Sequence, residues 1–152
     1  MKKFELTSEF VTFLGKKLFR IKALASFGDV EEGELGGFVE KEENLEQSGN
    51  AWVSGNALVY GNARVSGDAR VSGNARVRCS RDYSTASCFG SENRTTTFFR
   101  TKDGEIGVKR GCFCGELAEF RDKVKERHGD SRLAKEYLML ADLMEFRLSK
   151  VE

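Results

Sequence analysis

Between residues 49 and 78 the apolar positions recur with a period of six. Valine stands at 53, 59, 65, 71 and 77, and alanine at 51, 57, 63, 69 and 75. Each unit therefore offers one branched and one small apolar side chain to a common interior. Alternation along an extended segment sends the residues between them, Trp52, Leu58, Arg64, Arg70 and Arg76, to the opposite face. Each unit opens with Gly-Asn or Gly-Asp, residues that take tight corners at low cost. A strict period of this kind predicts short strands wound into a prism.

The flanks follow other periods. Residues 3–26 alternate around Leu14-Gly15-Lys16-Lys17 and predict a hairpin. Thr95–Thr101 and Ile106–Phe113 predict a second hairpin, with Asp103-Gly104 in its turn. Beyond it, Leu117, Phe120 and Val124 fall on one side of a helix that ends at His128-Gly129. A second helix, capped by Asp130 or Ser131, aligns Leu133, Tyr137, Leu140, Ala141, Met144 and Leu148. The C-terminal unit is expected to be ββαα.

With an aliphatic residue followed four positions later by a small one, as in Val53 and Ala57 or Val59 and Ala63, the repeat resembles the left-handed β-helix of hexapeptide-repeat proteins. That resemblance implies a coil of three hexapeptides. Residues 43–48 look like a degenerate preceding unit with Leu45 in the alanine position, which gives about two coils. So short a solenoid needs both ends covered. The N-terminal hairpin is expected to close the first coil through Gly33–Gly37 and Phe38-Val39. The fold class is thus mainly β with C-terminal α. Residues 1–42 are hairpin and cap, 43–78 the short left-handed parallel β-helix, 79–94 a linker and 95–152 the ββαα module.

Composition narrows the partners. Lys and Arg total 25 against 24 Asp and Glu, a net charge of +1 that gives no general reason for nucleic-acid binding. No long apolar run and no signal-peptide pattern is present, so no membrane partner and a cytoplasmic location are expected. Cys79, Cys88, Cys112 and Cys114 lack zinc-ligand spacing, and His128 is the single histidine; reduced thiols, no metal and no cofactor are expected, with a metal site or a disulfide as the alternatives.

Nearly the whole chain is similar to small proteins of phage and prophage genomes of Gram-positive bacteria. The matching segments are Gly28-Asp29-Val30, Leu35-Gly36-Gly37-Phe38-Val39, the Gly-Asn-Ala repeats, Thr96–Phe99, Gly111–Phe113, Glu119-Phe120, Val124, His128-Gly129, Ala134 and Tyr137-Leu138. This resemblance implies a viral setting. Hexapeptide acyltransferases, which the repeat also resembles, use a histidine base on or beside the coil, and residues 43–78 contain none. An acyltransferase is therefore the disfavoured alternative, and binding is the expected mode of action.

Two binding surfaces stand out. Arg94, Thr95, Thr97, Arg100, Lys102 and Arg110, with Lys109 beside them, gather guanidinium, ammonium and hydroxyl groups suited to phosphate. Phe98 and Phe99, which follow the polar stretch from Ser91, could stack a base. The expected activity is counter-defence by sequestering a phosphate-bearing, nucleotide-derived immune signal. The second surface stacks residues eighteen apart, Arg64 over Glu46, Arg70 over Trp52 and Arg76 over Leu58. With Tyr60 these leave apolar surface facing outward, from which a homo-oligomer, a trimer by analogy with the fold it resembles, is expected. The same face would serve inhibition of a host defence protein by direct contact.

Overall fold

The computed structural model describes residues 2–87, 95–110 and 113–149. They form a mainly β molecule with two helices at its C-terminal end. Strand β1 (Phe4–Phe13) and strand β2 (Lys16–Ala23) pair antiparallel across the two-residue turn Leu14-Gly15, so the first hairpin forms where the alternation predicts it. Strand β3 (Leu35–Val39) continues the sheet from β2. The repeats supply β4 (Trp52–Val53), β5 (Leu58–Val59), β6 (Arg70–Val71) and β7 (Arg76–Val77).

These short strands stack in parallel. β4 pairs with β6 as Trp52↔Arg70 and Val53↔Val71, and β5 with β7 as Leu58↔Arg76 and Val59↔Val77, eighteen positions apart in each case. β3 joins the same stack on β5 as Phe38↔Leu58 and Val39↔Val59. All five repeat valines are wholly buried and the alanines are at most 2 % exposed. Burial of one such valine contributes about 1.5–3 kcal/mol. Glycines 49, 55, 61, 67 and 73 hold φ between 61 and 71 at the corners. At Gly55 a Cβ would lie 3.1 Å from the Gly73 nitrogen of the next layer, so the corner needs glycine for close stacking as well as for its dihedral.

The phase of the repeat changes at its start. Leu45 bridges Val65 and is buried, so it occupies a valine position, where the sequence pattern put it at an alanine position. Leu45 and Val53 are eight residues apart where six is the rule, and the excess is absorbed before Ala51. Val39, aligned with Val59 and Val77, starts the stack earlier than the sequence boundary at 43. Three rows result: Val39, Val59 and Val77; Leu45 and Val65; Val53 and Val71.

The C-terminal sheet has four strands in the order β11-β10-β9-β8, where two were expected. They are β8 (Tyr83–Ala86), β9 (Thr96–Arg100), β10 (Ile106–Arg110) and β11 (Phe113–Glu116). β8 lies in the segment read as linker. Its Tyr-Ser-Thr-Ala sequence is too polar to announce a strand, and it forms because β9 offers an edge. β11 is short and contains Gly115, which hides it equally well.

β9 closes the far end of the stack. Thr97 Oγ1 accepts the Arg70 N–H at 2.9 Å, the Lys102 N–H donates to Asn74 O at 2.9 Å, and Phe99 enters the valine core. Its other face turns Phe98 toward α1 (Leu117–His128) and α2 (Arg132–Leu148). Both helix stripes are buried as their spacing predicts, with Ala134 taking the place expected of Leu133. Gly129 ends α1 at φ 58, and Ser131 Oγ caps α2 by accepting the Ala134 N–H. At the opposite end of the stack, Phe4, Ile21, Ala23 and Val30 cover the first layer.

Candidate functional site

Thr97, Arg100 and Arg110, among the groups expected to receive phosphate, are divided between two faces of the C-terminal sheet. Thr97 is fully buried and faces the repeats, where its hydroxyl satisfies Arg70. Arg100 reaches the other way, donating from Nε to Leu148 O at 2.8 Å and from Nη2 to Ser149 O at 3.4 Å, and pairing with Asp82 at 3.3 Å. Arg110 donates to Thr96 Oγ1 and to the Tyr137 hydroxyl, each at 2.9 Å, with its guanidinium 5.2 Å from the Tyr137 ring centre. Thr95 Oγ1 shares a hydrogen bond with Ser87 Oγ at 2.9 Å. Lys102 is exposed beyond the end of β9. Arg94, Ser91, Cys88 and Cys112 lie outside the described residues. Among the described members, Thr97 and Arg100 tie separate parts of the chain together and Arg110 holds its own sheet to α2, rather than converging on one open site. Phe98 and Phe99 are buried on opposite faces, so neither presents a ring for a base.

The outward row of the repeats is covered as well. Trp52, Leu58 and Tyr60, expected to be exposed, are buried. Phe27 meets Trp52 edge to face at 5.4 Å, and the Lys3 ammonium lies 4.8 Å over Phe27. Phe13 from the hairpin does the same for Tyr60 at 5.4 Å, closing a small lateral core with Leu18, Phe38 and Leu58. The chain itself provides the cover that a neighbouring copy was expected to give. Arg70 lies beside Trp52 and Arg76 beside Leu58 as the eighteen-residue spacing predicts, and Arg70 also pairs with Asp29 at 2.7 Å. Arg64 does not lie over Glu46, because the phase change aligns it with Asn44. Glu46 accepts the Gly67 N–H at 2.9 Å instead, and that bond holds its carboxyl below the usual range.

Among the described residues, His128, Cys79, Cys114 and Lys3 are each engaged in packing or lie singly. The His128 ring stacks on Tyr137 with centroids 5.6 Å apart and 22° between planes. Cys79 and Cys114 are free thiols, the latter 3.4 Å from Ser72 Oγ. Lys3 is buried, and its Nζ donates to Ala51 O at 2.7 Å with Ser48 O and Gly49 O at 3.5 Å; burial pushes the ammonium down to about 8. No helix of the described residues is long and apolar enough to cross a membrane.

The distal half of the first hairpin is among the apolar surfaces open to solvent. Phe10 and Val11 are exposed on opposite faces of β1, and Leu14 stands 72 % exposed at the tip. Leu14 has φ 53, and among the described residues no other non-glycine residue has positive φ. A bulky side chain in that region costs about 1–2 kcal/mol. The turn needs left-handed dihedrals at both Leu14 and Gly15, a job for which Asn-Gly is the favoured pair. Leucine is a poor choice for the turn and a good one for contact. Lys16 and Lys17 flank it, Lys17 Nζ lying 4.8 Å over the Phe10 ring. β1 is also the terminal strand of the five-stranded sheet, so its outer edge faces solvent. Sequence reading assigned this hairpin only the role of a cap, although the Leu-Gly turn carried the signal. No protein-family model matches the chain, and no curated protein does.

Proposed function

We propose that this is a non-catalytic phage accessory protein that disarms a host defence protein in the bacterial cytoplasm by docking onto it with its N-terminal hairpin. The scaffold is read as a short left-handed β-helix. The eighteen-residue parallel register supports a three-sided coil, and its hand is taken from the hexapeptide resemblance. A rigid prism closed at both ends gives the hairpin a fixed base. The observation that carries the reading is Leu14, held in an unfavourable backbone region while its side chain stays in water. Strain of that kind is retained where it serves recognition. Phe10 and Val11 extend the apolar contact, and the free edge of β1 can add main-chain hydrogen bonds to a partner strand.

Direct docking is preferred to signal sequestration as the leading mode because Thr97, Arg100 and Arg110 are engaged inside the molecule. The test is phage plating on host strains that each carry one defence system, with wild type or Phe10→Lys supplied in the cell. Wild type is expected to restore plating on at least one strain, and Phe10→Lys to lose most of that rescue. Rescue unaffected by Phe10→Lys, together with a thermal shift of the purified protein by a cyclic oligonucleotide or NAD-derived signal, would return the function to ligand sequestration.

A further inference from the structure

Helix α2 carries a second apolar row that the fold leaves uncovered. Its buried row of Ala134, Tyr137, Leu140, Ala141, Met144 and Leu148 packs on the sheet and α1. Met139, Leu143 and Phe146, spaced i, i+4, i+7 on the other side, are 72, 55 and 81 % exposed. An amphipathic helix needs one such stripe, and a second one belongs to a partner.

We propose that this row joins two copies of the chain, with α2 packed antiparallel against α2 of the partner across a two-fold axis. The charges beside the row fit that arrangement. Glu136 and Arg147 are eleven residues apart, so at 3.6 residues per turn they share one edge of the helix within about 20° and lie about 16 Å apart along it. Reversing the helix about the point between Ala141 and Asp142 brings Glu136 level with the partner's Arg147, and by symmetry Arg147 level with the partner's Glu136. The same reversal drops Met139 between the levels of the partner's Leu143 and the partner's Phe146. The three apolar side chains of each copy then interleave.

On the other edge Asp142 comes near its own equivalent. Each is already neutralised by Arg121 at 2.8 Å, and Arg121 also holds Glu145 at 3.3 Å, so the row sits on a helix fixed to α1. A face complementary to itself under reversal is what an isologous dimer requires. Three side chains from one helix make a small interface, and the dimer is expected to dissociate on dilution. The inference stands apart from the hairpin reading, since α2 and the hairpin tip are separate surfaces. A dimer would present two hairpins, which increases avidity for any partner that is itself repeated.

Sedimentation velocity of the full chain over a wide concentration range tests the pairing. Wild type is expected to pass from monomer to dimer, and Phe146→Arg to weaken the dimer at least about tenfold without loss of helical signal. Glu136→Arg and Arg147→Glu should each weaken it, and the two together should restore it. Leu143→Gln is a second probe of the row should Phe146→Arg fold poorly. A wild type that stays monomeric throughout, a dimer indifferent to Phe146→Arg and Leu143→Gln, or a double exchange that fails to recover would each overturn the antiparallel pairing.

Discussion

A leucine held at φ 53 and a lysine enclosed by backbone carbonyls are the two residues whose placement costs the fold most visibly. Lys3 donates to the corner at Ala51 and covers Phe27, so it pins the N-terminal strand where the phase of the repeat changes. Its ammonium titrates at about 8 in the folded protein against 10.5 when free, because burial disfavours the charge. Below pH 8 both states hold the proton and the desolvation cost is fully present. From there to 10.5 the unfolded chain binds more protons than the folded one, so stability rises with pH. Denaturant melts of wild type and Lys3→Met across that window should show wild type gaining on the variant as pH increases. A constant gap between the two would mean that Lys3 is solvated. The setting of Lys3 was not legible in the sequence, because it is charged by type and buried only by Phe27 and the corner above it, whereas the Leu14-Gly15 turn was.

At the level of elements, the period of six in valine and alanine identified the stacked strands, and the glycine corners and helix stripes were equally plain, since each is encoded within a few residues. β8 and β11 were not, because their residues become strands only when β9 and β10 supply edges. The start of the stack was misplaced for a related reason: the two residues in excess before Ala51 shift the phase, and a strict period carries no signal of a shift. The corrected phase has a measurable consequence. Leu45→Ala restores the residue expected of an alanine position, yet it should destabilise by about 3 kcal/mol, because Leu45 fills a valine row beneath Val65. Chemical denaturation yielding a loss below about 1 kcal/mol would place Leu45 outside that row.

For the molecule as a whole, the stack is too short to stand without caps, and both flanking modules double as lids. β9 serves two cores at once, with Phe99 in one and Phe98 in the other. Arg100 extends that junction by gripping the end of α2 and Asp82 together. Arg100→Ala should therefore cost about 2 kcal/mol of stability by denaturant unfolding. A fully stable variant would instead free Arg100 for a ligand. The arginine and threonine cluster was visible in the sequence, but its chemistry suits a carbonyl or carboxylate within the chain as well as a phosphate outside it. Only the tertiary arrangement separates the two. The same holds for Trp52, whose outward direction was read correctly and whose cover by Phe27 was not foreseeable from spacing.

If the hairpin tip is kept for contact rather than for folding, its turn should be easy to improve and costly to improve. Leu14→Asn gives the turn its preferred Asn-Gly pair and should raise the stability of the purified protein by about 1 kcal/mol. The decisive measurement is phage plating on the rescued host strain with this variant in place of wild type. A more stable protein that no longer rescues plating is the expected result; full rescue by Leu14→Asn would contradict docking through Leu14.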